Sequence, residues 1–478
     1  MLTAAYYTLG CKVNQYETEQ IRTALEKAGF RTVPFTSKAD VYVINTCTVT
    51  AAADAKSRAA VRKAHRINPQ ACVVVTGCYA ETSRDAVSRI EGVGLVVGNR
   101  DKDVLADKII SYIRAREQGL GSIDDALGGE SASDNPPRAV LPRTRTRALV
   151  KVQDGCDHFC SYCIVPFARP EMHSRPIGEV LEEIRRLADY GYKEIVLTGI
   201  RLGSYRDSDQ GLPDLVLQAA EISGIERIRL SSIEPWEIDE ALIGVFQHPK
   251  VCRHLHIPLQ SGDDEILARM NRPYRADDYL SLVNKIRDET PGIGITTDVI
   301  VGFPGETEEA FENTCEVVRR AGFSRLHVFR YSPRHLTRAA EMPNQVPEAL
   351  KKERAEILST IGLECARAFA QSWIGQTLPV LAEHRVRGSR LPTADNISAK
   401  TDLVLLRGFT DNYIEVTFPG ELSLAGSVAG VTITGVDENG RAVGRAEEHS
   451  GEQMLCSSSG RLPSAKDDTA AENCRKGG

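Results

Sequence analysis

The stretch that decides the fold is DGCDHFCSYCIVPFAR, residues 154–169. It places Cys156, Cys160 and Cys163 in a C-x3-C-x2-C array, just after the strand-like LVKVQ (149–153). Structural zinc takes four protein ligands, and only three thiols stand here. His158 lies between the first two cysteines, but its position does not match the usual C-x2–4-C…H spacing of zinc sites. A three-thiolate loop suits a 4Fe–4S cluster with one iron left open to a substrate or cofactor. A zinc loop and coincidental core cysteines are the alternatives.

Outward from this loop the chain alternates. EIVLT (194–198), RIRLSS (227–232), HLHIP (254–258), ITTDVIVG (295–302) and SRLHVFRYS (324–332) are strand-like. Helix-like segments such as GEVLEEIRRLADYG (178–191) and ETEEAFENTCEVVRRAG (306–322) lie between them. With LVKVQ they make six β/α units, which predict a partial (β/α)6 barrel whose site sits at the C-terminal ends of its strands. Residues 1–116 alternate in the same way. Strands are expected at 5–10, 41–46 and 72–77, and helices at 16–29, 51–66 and 81–91, giving an N-terminal parallel α/β domain.

Residues 117–143 are rich in Gly, Ser, Asp and Pro and read as a linker, so the barrel with its following helices spans 144–372. Short strands divided by Gly and Asp turns then predict a small all-β domain over 373–438. The polar remainder, 439–478, is expected to be disordered. The chain is α/β overall, with this β domain at its C-terminal side.

Composition excludes some classes. A chain of 478 residues, 42% hydrophobic and 26% charged, is ordinary globular material. Its formal net charge of −6 argues against a generally basic nucleic-acid binder but leaves room for local basic patches. No apolar run approaches the roughly 18 residues of a membrane span, and the first residues show no signal-peptide pattern. A cytoplasmic location is therefore expected, and the twelve cysteines read first as metal or redox sites.

Cys11, Cys47 and Cys78 each follow one of the three expected N-terminal strands. In a parallel sheet those strand ends share one edge, so three cysteines from three strands should converge there. Cys72 lies inside its strand, and Cys252, Cys315 and Cys365 lie in or beside helix-like segments. These four, with Cys456 and Cys474 in the tail, read as packing or surface residues.

C-x3-C-x-aromatic-C, with Tyr162 as the aromatic, resembles the signature of the radical S-adenosylmethionine (SAM) superfamily, and the partial barrel is that superfamily's fold. Two three-cysteine sites, one ahead of such a barrel and one within it, resemble the methylthiotransferase family. TLGCKVNQYETE (8–19), NTCTVT (45–50) and TGCYAE (76–81) are similar to its N-terminal motifs. RLSSIEP (229–235), HLHIPLQSG (254–262) and TDVIVGFPGETEE (297–309) are similar to its barrel motifs, and GFTDNYIEVTFPG (408–420) resembles its TRAM domain.

The resemblance implies two 4Fe–4S clusters, one on Cys11, Cys47 and Cys78 and one on Cys156, Cys160 and Cys163, with SAM as methyl donor and radical source. Strand ends would line the SAM pocket: Thr198, Gly199, Ser231, Ser232, Glu234, Gln260, Ser261 and Gly302. An ordinary tight turn is the competing reading at each. Asp298, inside a strand, would face polar groups in the barrel or meet an Arg or Lys.

TLGCKVNQYETE looks most like the group acting on N6-threonylcarbamoyladenosine in tRNA. Other members act on isopentenyl-adenosine in tRNA or on a ribosomal-protein aspartate. The implied reaction replaces the C2 hydrogen of the adenosine beside the anticodon with a methylthio group. Implied partners are tRNA, an electron donor such as flavodoxin or ferredoxin, and a sulfur donor. A radical enzyme whose N-terminal cluster only carries electrons, and an iron–sulfur RNA-binding protein without catalysis, are the rival readings.

Phosphate contacts have local support. The helix expected at 51–66 carries Lys56, Arg58, Arg62, Lys63 and Arg66, net +4 with Asp54, and Arg138, Arg143, Arg145 and Arg147 precede the barrel. A solvated helix face is the competing reading. Tyr413 and Phe409 are candidates to stack on a base. The chain departs from the family pattern at Pro170 (for Gly), Arg201 (for His), Arg206 (for Gly) and in SPRHLT (332–337), which lacks a Pro-Gly pair. These departures bear on substrate preference and efficiency while leaving all six cysteines in place.

Overall fold

A computed structural model describes residues 1–117, 146–386 and 403–447. The N-terminal part is built on a five-stranded parallel sheet ordered Arg31–Thr32, Thr3–Thr8, Val41–Thr46, Cys72–Gly77, Val93–Val97. Val41–Thr46 and Cys72–Gly77 are buried at every residue, because helices cover both faces of the sheet. Leu25, Leu105 and Ile109 pack on one face; Val61 and Ala64 of the helix Ala51–Ile67 pack on the other. Two strands exceed expectation. Arg31–Thr32 is too short to carry a pattern, and Gly94 interrupts the apolar run of Val93–Val97. The first helix, Lys12–Lys27, starts directly after Cys11, earlier than expected.

Six parallel strands form the partial barrel: Arg147–Lys151, Glu194–Thr198, Arg227–Leu230, His254–His256, Gly294–Val301 and Arg325–Arg330. They fall into two three-stranded sheets joined by the parallel bridges Ile228–Val251 and Ser232–His256. The first and last strands do not pair, so the barrel is open on that side. The helix Glu348–Gln371 packs Leu358 and Ile361 into the same core.

The C-terminal strands close into a barrel ordered Thr377–Arg385, Leu403–Thr410, Glu415–Glu421, Ala442–Ala446, Val428–Val436. Its last strand corrects the expectation that residues from 439 are unstructured. AVGRA (442–446) is too small and polar to signal a strand, and pairing on both sides supplies the order. The expected linker beyond Glu117 and the tail beyond Glu447 lie outside the described residues, as do Arg138, Arg143 and Arg145.

This small barrel docks on the N-terminal ends of the large barrel's strands. Arg229 donates to the carbonyls of Thr410 (3.0 Å) and Asp411 (2.9 Å), and Arg227 to that of Phe409 (3.0 Å). Arg253 pairs with Asp411 at 2.7 Å. Gly294 lies so close to the turn that a Cβ there would stand 2.1 Å from the Asn412 carbonyl oxygen. Tyr413 stacks between His254 (4.4 Å) and Phe409 (4.9 Å). Arg147 lies over both the Phe409 and Tyr413 rings and pairs with Glu383 at 2.7 Å. The two aromatics and Arg147 therefore join domains, which corrects their reading as base-stacking and phosphate-binding residues.

Candidate active site

Cys11, Cys47 and Cys78 stand at the C-terminal ends of three neighbouring strands of the N-terminal sheet, and all three are free thiols. Glycines immediately before two of them make the approach close. Gly10, at φ 96°, lies where a Cβ would meet Cys47 Cβ at 2.9 Å and Sγ at 3.1 Å. Gly77, at φ 97°, lies where a Cβ would meet the Thr46 carbonyl oxygen at 2.3 Å. Asn14 ties the loops together by donating to the carbonyls of Leu9 (2.8 Å) and Thr46 (3.0 Å). Burial pushes the Cys47 thiol up to about 12, and the neighbouring Cys78 and Cys11 add to the effect. Burial raises Cys11 as well, against the pull of Arg169.

The second triad lies on the loop after the first barrel strand. Cys160 N–H donates to the His158 carbonyl (3.1 Å), Cys163 N–H to that of Cys160 (3.0 Å), and Cys156 N–H to that of Arg169 (3.1 Å). Burial pushes Cys156 up to about 11 and Cys163 higher still. For Cys160 burial acts in the same sense, yet His158 and Arg272 outweigh it and the thiol is lowered. Arg272 Nη1 stands 3.5 Å from Cys160 Sγ, with its guanidinium over the rings of Trp236 and Tyr274. His158 Nε2 is taken up by the Asn271 carbonyl at 2.8 Å.

The donor set of each triad separates a cluster from a single ion. Each triad offers three free thiols with no fourth protein ligand supplied by the motif, a donor set that fits a 4Fe–4S cluster with one open iron better than structural zinc. The ligand atoms of His256, Asp298 and His327, in the large barrel, all lie within 4.8 Å of one another. The trio in the barrel is satisfied within itself. Asp298 accepts from His327 Nδ1 (3.1 Å) and pairs with His256 Nε2 (3.3 Å), and these imidazoles, against the effect of burial, hold its carboxyl far below the usual range.

Ion pairs and hydrogen bonds join the two cysteine regions. Glu17, on the helix that starts after Cys11, is buried among Arg169, Lys151 and Lys102. Arg169 also reaches both Asp154 oxygens at 2.7 Å and Asn14 Oδ1 at 3.0 Å. Burial alone would raise the Glu17 carboxyl; the three cations hold it well below its ordinary value. Tyr16 donates to Glu183 at 3.1 Å, and Arg175 pairs with Glu183 at 2.7 Å. Asn99 Nδ2 lies 3.8 Å from Cys78 Sγ and donates to the Ala168 carbonyl (2.8 Å), so one side chain touches both cysteine regions. Buried Arg334 pairs with Asp54 and donates to Thr48 Oγ1 at 2.7 Å.

The strand-end residues divide. Thr198, Gly199, Ser231, Ser232, Glu234 and Gln260 lie at the barrel mouth. Ser231 Oγ is buried with no protein partner, and Gln260 is held at φ 65°. Glu234 pairs with Arg272. Ser261 and Gly302 make packing contacts. The Ser261 hydroxyl accepts from Asp263 N–H (3.2 Å) and meets Thr314 Oγ1 (3.3 Å), while a Cβ on Gly302 would stand 2.3 Å from Lys351 Cγ.

Of the basic helix, Lys56, Arg62, Lys63 and Arg66 are exposed, and Arg58 donates to Tyr79 OH at 3.2 Å. The departures are accommodated. Pro170 is exposed, and Arg169 before it is already outside the helical region (φ −144°, ψ 67°), as proline requires. Arg201 pairs with Asp157 and Glu237. Arg206 lies in a two-residue antiparallel pairing at the surface. Sequence reasoning missed Glu17, Asn14, Lys102, Arg169, Arg272 and Arg334. The available signal was a run of charged and amide residues inside cysteine motifs, which marks a joint without naming its partners.

Comparison with known proteins agrees with this geometry. Residues 150–318 match the radical SAM superfamily, and residues 3–98 match the uncharacterized protein family UPF0004. The chain is 40% identical over 437 residues to the threonylcarbamoyladenosine tRNA methylthiotransferase MtaB of Bacillus subtilis (strain 168), covering 91% of this chain and 94% of that protein. It is 37% identical to MtaB of Aquifex aeolicus (84% and 97% covered). It is 36% identical to the tRNA-2-methylthio-N(6)-dimethylallyladenosine synthase of Anaplasma marginale (78% and 82% covered). Among solved structures, the radical SAM methyltransferase TsrM of Kitasatospora setae, with tryptophan and a SAM analogue bound, superposes with a TM-score of 0.53 at 15% identity. That match covers 77% of this chain and 89% of TsrM and supports the fold alone. With two cysteine triads on joined regions, and relatives matched over nearly their whole length, the chain belongs to the radical SAM methylthiotransferase family.

Proposed function

We propose that this protein methylthiolates C2 of N6-threonylcarbamoyladenosine next to the anticodon in tRNA. The observation that carries the reading is the joining of the two cysteine regions by Glu17 and Arg169, with Asn99 touching both. C2 of adenine is an unactivated aromatic C–H, which acid–base catalysis alone does not open. Cys156, Cys160 and Cys163 would hold a 4Fe–4S cluster that, with SAM, would supply the radical chemistry this bond needs, and Cys11, Cys47 and Cys78 would hold a second that would seat the incoming sulfur.

The chain's own residues orient these groups. Arg272 sets a fixed cation against Cys160, and Ser231 offers an unpaired hydroxyl at the mouth. Lys56, Arg62, Lys63 and Arg66 form an exposed basic face for RNA phosphates on the helix Ala51–Ile67, with Lys56 nearest its start after Cys47. The C-terminal barrel is read as TRAM-like. An electron donor such as flavodoxin or ferredoxin and a sulfur donor complete the cycle in the cytoplasm, where tRNA is modified. Among the described residues no helix is long and apolar enough to cross a membrane.

The test is expression in a bacterial host lacking its own threonylcarbamoyladenosine methylthiotransferase, followed by mass spectrometry of digested tRNA. The 2-methylthio nucleoside should appear with the intact protein and not with the Cys156→Ala, Cys160→Ala, Cys163→Ala variant. Product on isopentenyl-adenosine instead would move the substrate to that of the Anaplasma relative.

A further inference from the structure

Leu336 is a non-glycine residue held in the left-handed backbone region, at φ 72°, with 56% of its surface exposed. It stands in SPRHLT, where the family pattern has a Pro-Gly pair, so the bend has been kept while a large apolar side chain was placed on it. A backbone that leucine rarely adopts is strained, and persists where the surroundings over-determine it. The surroundings here do so. On one side, Arg334 is buried against Asp54 and Thr48, the residue after Cys47, and His335 meets the Thr82 carbonyl at 3.2 Å, four residues past Cys78. On the other side, Ala339 N–H donates to the carbonyl of Ser161, between Cys160 and Cys163, at 2.8 Å. Leu336 is thus pinned on the seam between the two cysteine triads, with Arg338 exposed two residues on.

We infer that Leu336 is a substrate-positioning wedge that fills the gap left in the RNA base stack when the target base turns toward the cysteine triads, an inference that rests on the proposed tRNA substrate. The physical argument begins with the target atom. C2 lies on the edge of a base that is stacked in an anticodon loop, and the base must leave that stack to reach the cysteine triads. The gap left behind is apolar, and an aliphatic side chain inserted there offsets the lost stacking. Exposed cations near the bend, Arg338 and Lys56 on the first turns of the helix Ala51–Ile67, match the flanking phosphates. An exposed leucine on a strained bend between two catalytic regions has no packing role of its own to explain it.

The test uses the full-length, cluster-reconstituted protein with tRNA bearing N6-threonylcarbamoyladenosine. Leu336→Ala keeps the strained bend and removes the wedge; Leu336→Gly removes both. Both variants should raise KM and the Kd for tRNA about 3–10-fold with kcat near that of the parent. Leu336→Gly should also raise Tm by about 1–2 °C through relief of the bend. Unchanged KM and Kd in both variants, with the parent active, would overturn the wedge and leave the substrate reading standing. A parent that neither binds nor modifies this tRNA would overturn both.

Discussion

The guanidinium of Arg169, six residues beyond Cys163, grips the carboxylate of Glu17, six residues beyond Cys11, with both nitrogens at 2.9 Å. A two-point contact of this kind fixes orientation as well as distance. This buried pair, with Lys102, Lys151 and Asp154 as its surround, is the centre of a joint that Asn99, Tyr16 and Arg334 extend on other sides.

Glu17→Gln should be strongly destabilising, because it leaves three cations around a buried site with no anion of their own at Glu17. A loss of about 3–5 kcal/mol is expected in denaturant unfolding. Glu17 has a folded pKa below its unfolded value. Its contribution is thus complete above pH ~4.5 and falls away as pH drops toward the folded pKa. In the variant that acid-side loss should shrink.

The triads should separate by assay. Replacing Cys11, Cys47 and Cys78 with Ala should halve iron content, from about eight to about four per chain, and abolish methylthio product while SAM cleavage continues. Replacing Cys156, Cys160 and Cys163 should also halve iron but stop SAM cleavage. Iron analysis with chromatography of 5′-deoxyadenosine reads both. Loss of SAM cleavage in the first variant would mean that the two sites are not independent.

Gly77→Ala tests the close approach beneath Cys78. A Cβ there would stand 2.3 Å from the Thr46 carbonyl oxygen, on a backbone at φ 97°. Destabilisation of about 2–4 kcal/mol is expected. Iron should be lost from the N-terminal site with the barrel site retained, as iron-to-protein ratio and residual SAM cleavage would show.

At the other end of the barrel, Glu194 is fully buried with Arg229, Arg227 and Arg147, which outweigh its burial and bring its pKa to about 2. The domain joint should hold above pH ~4.5 and weaken as pH falls from there toward 2. Limited proteolysis across that range should release the C-terminal barrel progressively. Glu194→Gln should release it at neutral pH.

The six cysteines and the two α/β layers were legible in the sequence because their signals are local: thiols at fixed spacing, and apolar runs such as CVVVTG bounded by turns. The joints were not. Nothing within TLGCKVNQYETE says that Glu17 meets an arginine 152 residues away, and Arg147 reads equally well as a phosphate contact until Glu383 is found beside it. AVGRA carries no apolar alternation and becomes a strand only because two neighbours offer it their edges. Gly302 shows the same limit in reverse. A glycine after a strand suggests room for a ligand, while here the room is filled by Lys351.

The turn carrying Tyr413 gives the large barrel a stopper. With Tyr413, His254 and Arg229 stacked across its lower end, that end is no drain for solvent, and a reactive fragment formed above would find protein beneath it. Cutting the chain before Thr377 would thus do more than delete a domain. It would open a leak, and the expected symptom is SAM consumed without matching product.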